Sequence, residues 1–136
     1  MLVLDASLTL SWYFPDEQTD AANALLMQIA DQGAIVPTLW HLEVGNAFQT
    51  AIRRGRCDAA YRDQALAELR ELPITVDADT LHHAWKDTLA LSEKFGLSLY
   101  DATYLELAQR RGLMLATLDG KLMRAASVLG LSQTEN

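Results

Sequence analysis

Four short apolar runs punctuate the chain: Leu2-Val3-Leu4, Ala34-Ile35-Val36, Ile74-Thr75-Val76 and Leu113-Met114-Leu115-Ala116. Helix-patterned stretches separate them, and this alternation constrains the fold more than any other feature. A run of three or four consecutive apolar residues lacks the in-out alternation of a half-solvated strand, so it suits a strand covered on both faces. Strands of that kind lie parallel, and parallel strands need long crossovers, which the intervening helices supply. The expectation is an α/β fold in three layers, with a short parallel sheet of four to five strands flanked by helices.

The helices can be placed from their stop and start signals. Residues 7–14 read as a short helix stopped by Pro15, and Asp16 to Gln32 as an amphipathic one ending at Gly33. Thr38 is expected to cap a helix to Arg54, and Asp58 one to Leu72. Asp79 is expected to open a long helix through Lys94, stopped at Gly96. Tyr100 to Arg111 and Gly120 to Leu129 complete the set, and the segment from Gly130 is a candidate edge strand. No repeat or linker interrupts the pattern, so residues 1–132 read as one domain and 133–136 as a disordered tail.

No apolar stretch approaches the ~20 residues of a membrane span. The opening Met1-Leu2-Val3-Leu4-Asp5 lacks the basic segment of a signal peptide. The single cysteine, Cys57, can form neither an internal disulfide nor a zinc cluster with other cysteines. A reducing cytoplasm is the expected setting. The net charge of −7 opposes a nucleic-acid partner at first sight. One or two divalent cations would bring it to between −5 and −3, and the basic residues are clustered, as at Arg53, Arg54 and Arg56, at Arg110 and Arg111, and at Lys121 and Arg124. Each cluster has a plainer reading as a solvated helix end, where cations suit the dipole.

Ligands of an open parallel sheet bind at the carboxyl ends of its strands. Asp5 follows the first apolar run directly, and Asp119 is the first acid after the fourth. The plainer reading of either acid is a cap on the next helix. Two further acids lie on helices: Glu43 beside Leu39, Trp40 and Ala47, and Asp101 in line with Tyr104, Leu105 and Ala108. A carboxylate on a core-facing stripe is costly unless it is paired, hydrogen-bonded or bound to a metal. The plainer alternatives are a semi-exposed Glu43 and an Asp101 satisfied by backbone amides. If the four converge, they form an oxygen-only cluster whose mutual repulsion a hard cation, Mg²⁺ or Mn²⁺, relieves. Such a site suits phosphoryl chemistry.

Four motifs, Leu2-Val3-Leu4-Asp5-Ala6-Ser7, the helical Glu43, Ser98-Leu99-Tyr100-Asp101-Ala102 and Ala116-Thr117-Leu118-Asp119-Gly120-Lys121-Leu122, stand in an order and spacing that resemble the PIN-domain family. Within it, they are similar to the VapC-type toxins of toxin–antitoxin pairs. The resemblance implies a metal-dependent endoribonuclease with Asp5, Glu43, Asp101 and Asp119 as catalytic, metal-holding acids. Ser7, Ser98 and Thr117 would orient those acids from behind. It also implies an RNA substrate, products bearing a 5′-phosphate and a 3′-hydroxyl, a homodimer, and a VapB-like antitoxin. The antitoxin would lie along the helices 38–54 and 58–72, with Leu42, Phe48, Tyr61 and Leu66 as candidate contacts or ordinary core. Where many relatives carry an extra acid or amide beside the last acid, this chain has Leu118 and Gly120, which bears on a second metal.

Other residues recede. His82 and His83 are adjacent and diverge on a helix, and His41-Leu42-Glu43 lacks the cysteine pair of a zinc deaminase. Trp12, Trp40 and Trp85 are expected in the core, with Trp12 the best candidate for stacking on a base. Two other classes compete with the nuclease: a PIN-like binding module with little activity that docks a partner protein, and a phosphotransfer receiver domain. The receiver needs an acceptor Asp ending a central strand, whereas Asp58 opens a helix.

Overall fold

The computed structural model describes residues 1–133. Its elements run β1 (Leu2–Leu4), α1 (Ala6–Ser11), a 3₁₀ turn (Pro15–Glu17), α2 (Asp20–Gln32), β2 (Ala34–Val36), α3 (Leu39–Arg53), α4 (Ala59–Glu71), β3 (Ile74–Val76), α5 (Thr80–His83), α6 (Asp87–Phe95), α7 (Leu99–Arg111), β4 (Leu115–Ala116) and α8 (Gly120–Val128). The four strands form one parallel sheet in the order β3-β2-β1-β4. Helices flank it, as the apolar runs require. Residues Leu2 to Leu4 and Ala34 to Val36 are fully covered, while the edge strand β3 is half solvated. The segment after α8 adds a single parallel bridge, Leu115 to Ser132, and the Gln133 amide donates to the Leu115 carbonyl at 3.1 Å. The remainder of the expected tail, 134–136, lies outside the described residues.

Several boundaries differ from expectation for local reasons. The helix expected from Asp16 starts at Asp20, because Thr19 caps it, its Oγ1 accepting from the Ala22 amide at 3.0 Å. The residues after Pro15 form a separate 3₁₀ turn. Thr38 makes no side-chain cap, whereas Asp58 does, accepting from the Tyr61 amide at 2.8 Å. The long helix expected over Asp79 to Lys94 is two helices with a break at residues 84–86. Its apparent apolar stripe, Leu81, Trp85 and Leu89, faces solvent, and the buried positions are Thr80, Thr88 and Leu91. Trp85 is 87% exposed, which corrects its expected core placement, while Trp12 and Trp40 are buried. Of the candidate docking residues, Phe48 is core, packed against Tyr13 and Phe14, and Leu42 is exposed.

α7 is the central helix. Six consecutive residues from Thr103 to Ala108 are buried, and it touches β1, β4, α5, α6 and α8. Its C-terminal turn is tied down by Arg110, which is bonded to Asp77 just beyond β3 and to Glu106 one turn back. Gly112 ends it at φ +63, a left-handed conformation that side chains resist.

Candidate active site at the carboxyl ends of β1 and β4

Pairing of β1 with β4 brings their ends side by side, and the Asp5 amide donates to the Ala116 carbonyl at 3.0 Å. Asp5 is 5% exposed. Its carboxylate does not cap α1. Instead Oδ2 accepts from Ser7 Oγ at 2.7 Å and from Thr117 Oγ1 at 2.6 Å. The two hydroxyls are 3.3 Å apart and also reach the β4–α8 turn, where Ser7 Oγ accepts from the Leu118 amide and Thr117 Oγ1 from the Asp119 amide, both at 3.0 Å. A residue near the start of the chain and one 112 positions later are thus locked around one oxygen.

Asp119 combines both of its sequence readings. Its Oδ1 caps α8, accepting from the Leu122 amide at 2.8 Å, and its charge is felt by Asp5 and Asp101. Ser98 caps α7 through the Asp101 amide at 3.1 Å, which sets Asp101 in the first turn facing the strand ends. Glu43 approaches from α3, where Oε1 accepts from the buried Tyr104 hydroxyl at 2.5 Å.

Electrostatics tie the four acids to one locus. Burial raises the Asp5 carboxyl above its usual range, with Asp119 adding to the rise and the Thr117 and Ser7 hydroxyls opposing it. Burial also raises Glu43, with repulsion from Asp5 and Asp101 added, against the Tyr104 bond. Asp101 is raised by burial, then by Asp5 and Asp119, against Ser98 and Lys121. Among the described residues no Lys, Arg or His forms a salt bridge with any of the four.

The donor set therefore fits a hard divalent cation in its chemistry: oxygen ligands only, mutually repelling, with no ion-pair partner. The side chains do not yet enclose one, since among the described residues no three His, Cys, Asp or Glu groups are gathered closely enough to hold an ion. The three histidines are elsewhere. His41 and His82 are exposed, and His83 lies 3.5 Å from Asp87 and 3.6 Å from Glu106.

Sequence reasoning missed Tyr104, which it read as one more member of an apolar stripe. The available signal was a phenol on a core-facing helix face, since a buried tyrosine hydroxyl needs a partner. It also missed the buried Asp77–Arg110–Glu106 group, whose members are spread over 33 positions.

The fold agrees with the family match: the model of the PIN domain covers residues 2–128, and the chain belongs to that family. Its curated relatives include Ribonuclease VapC3 of Pyrobaculum aerophilum, 32% identical over 121 residues that cover 89% of this chain and 91% of that protein. Ribonuclease VapC3 of Mycobacterium tuberculosis is 36% identical over 111 residues, covering 79% of this chain and 75% of the relative. The crystal structure of PAE2754 from Pyrobaculum aerophilum superposes with a TM-score of 0.68 over 91% of this chain and 83% of that one, at 24% identity, and so shares the fold.

Proposed function

We propose that this chain is a Mg²⁺- or Mn²⁺-dependent endoribonuclease, the toxin of a toxin–antitoxin pair, with residues 1–132 as its catalytic domain. The observation that carries the reading is the acid locus at the ends of β1 and β4, where Asp5, Glu43, Asp101 and Asp119 raise or feel one another without an ion-pair partner. Relatives named ribonucleases over most of the chain support the same substrate class.

In this mechanism Asp5 and Asp101 would be the principal holders of the ion, with Glu43 and Asp119 beside them. A bound divalent cation supplies charge that eases deprotonation of the attacking water and offsets charge on the leaving oxygen. Ser7 and Thr117 fix Asp5 Oδ2, so that Oδ1 would be the oxygen left to hold the ion. Tyr104 fixes Glu43 Oε1, leaving Oε2 to take the proton of the attacking water. The 2′-hydroxyl of the substrate takes no part, and the cleaved strand carries a 5′-phosphate and a 3′-hydroxyl.

A VapB-like antitoxin, a homodimer and a cytoplasmic setting belong to the same proposal. A groove of about 360 Å³ between α3 and α4, lined among others by Trp40, Val44, Leu66, Leu69 and Ile74, supports docking of an apolar antitoxin segment. Among the described residues no helix is long and apolar enough to cross a membrane.

The test is cleavage of RNA by purified protein with Mg²⁺, Mn²⁺ or chelator, beside Asp5→Asn and Asp101→Asn. The proposal expects turnover with either metal, none with chelator and none in either variant. Cleavage retained by both variants refutes it.

A further inference from the structure

We infer that the N-terminal half of α8 forms, with the end of α6, a phosphate-binding subsite that holds the RNA strand beside the acidic centre. The inference rests on the nuclease reading above. Lys121 and Arg124 are two and five positions beyond Asp119 and three apart on one helix, so they share a face. Together with Phe95, Ala125 and Val128 they line a pocket of about 230 Å³.

The opposite wall is the α6 terminus. Lys94 stands over the Phe95 ring, 5.3 Å from its centroid. Gly96 then turns left-handed, at φ +64, and the Lys121 ammonium lies against it: a Cβ on Gly96 would sit 3.6 Å from Nζ. Arg124 folds back over the start of its own helix, where a Cβ on Gly120 would meet Nη1 at 3.2 Å. The backbone from Gly96 runs on to Ser98 and Asp101, and Asp119 caps the start of α8. The cations are therefore placed on the two segments that present these acids, and Lys121 is felt by Asp101.

Two comparisons sharpen the point. Arg56, Arg62 and Arg110 are neutralised by carboxylates; among the described residues Lys94, Lys121 and Arg124 form no salt bridge, nor do Arg53, Arg54, Arg70, Lys86 and Arg111, so what sets Lys94, Lys121 and Arg124 apart is their place beside the acid locus. The chain as a whole carries −7, so an approaching polyanion is repelled by most of the surface. A strand whose scissile phosphate enters a ring of carboxylates needs unpaired cations for its flanking phosphates, and this pocket supplies them next to the ring. An aromatic floor under a cationic rim suits a sugar-phosphate segment.

The experiment compares three proteins of matched far-UV circular dichroism and melting temperature: wild type, Lys121→Gln/Arg124→Gln, and a control pair, Lys86→Gln/Arg111→Gln, that removes equal charge elsewhere. A labelled single-stranded RNA is titrated by fluorescence anisotropy in chelator, across a series of salt concentrations. Each phosphate contact contributes about 0.7 to the log–log salt slope of a single strand, so the α8 pair is expected to flatten it by about 1.4. In cleavage assays KM for RNA rises by a larger factor than kcat falls, and the loss on RNA exceeds the loss on bis(p-nitrophenyl) phosphate, which is too small to span the subsite. The control pair leaves slope and KM near wild type.

Equal effects from both pairs would reduce the result to net charge and overturn the subsite. So would wild-type slope and KM in the α8 pair, or unaltered RNA binding together with lost affinity for polyglutamate, which would make the pocket a seat for an acidic protein. If wild type binds RNA with the local slope change but cleaves nothing in either metal, the nuclease reading fails while the subsite stands.

Discussion

Arg110 anchors the helix that carries Asp101 and Tyr104, and its removal gives the sharpest test of how this fold is held together. Nη1 and Nη2 reach Asp77 Oδ1 and Oδ2 at 3.1 and 2.8 Å, and Nε and Nη2 reach Glu106 Oε1 and Oε2 at 2.7 and 3.2 Å. The two acid side chains are 2% and 4% exposed. Arg110→Met keeps most of the apolar stem but leaves two buried carboxylates without their cation. Breaking such a buried pair costs about 3–5 kcal/mol. At this chain length that lowers the melting temperature by roughly 10–20 °C. The sign with pH follows from Asp77. Burial pushes its carboxyl up, but the Arg110 and Thr80 bonds outweigh burial and hold it below the usual value. In wild type it therefore contributes stability above about pH 4 that fades as pH falls through the depressed value. The variant has lost that contribution, so its deficit is largest at neutral pH and shrinks on acidification. Calorimetric melts of both proteins at pH 7 and about pH 3 measure this. The triple variant Arg110→Met, Asp77→Leu, Glu106→Met, with no buried charge left, should recover most of the loss. A deficit under about 1 kcal/mol at pH 7, or one that does not narrow at about pH 3, refutes the reasoning.

The acid locus makes three more predictions. Asp5, Glu43 and Asp101 are each held above the ordinary carboxylate range, so without metal each detracts from stability at neutral pH, and the penalty is relieved as pH falls through the raised values; Asp5→Asn should raise the metal-free melting temperature at pH 7 and have less effect near pH 4. Mn²⁺ at a hundred times its Kd should stabilise wild type by about 2.7 kcal/mol, seen in thermal melts, and Asp5→Asn or Asp101→Asn should lose most of that gain. Tyr104→Phe removes the hydroxyl from Glu43 and should cost about 1.5–3 kcal/mol in urea unfolding, with kcat falling more than KM rises; an unchanged kcat would separate Tyr104 from the chemistry.

What could be read from the sequence follows from how local each signal is. The parallel strands were legible because three consecutive apolar residues, as at Ala34 to Val36, can only be satisfied between two layers. Asp5 and Asp119 were legible as a pair because a strand-end position is a property of a few neighbouring residues. The α5–α6 break was not, because Leu81, Trp85 and Leu89 mimic a core face at helical spacing. The true buried face is partly polar, with Thr80 donating to Asp77, three residues before it, at 2.8 Å. The fourth strand is shorter than its apolar run because Leu113 is taken by the end of α7, its amide donating to the Ala108 carbonyl at 3.0 Å. Tyr104 could be seen facing inward, but its partner is 61 positions away and sequence periodicity does not reach that far.

The central strand of the sheet is the first to be synthesised, and one of its two neighbours is the last. Until residues 115–119 have left the ribosome, β1 lacks one edge partner, Asp5 has no Thr117 to hold it, and Asp119 is missing altogether. A nascent or prematurely terminated chain can form the β1, β2 and β3 part of the sheet, three of its four strands, but cannot assemble the acid locus. Assembly of the acid locus therefore waits for the last strand of the sheet to emerge.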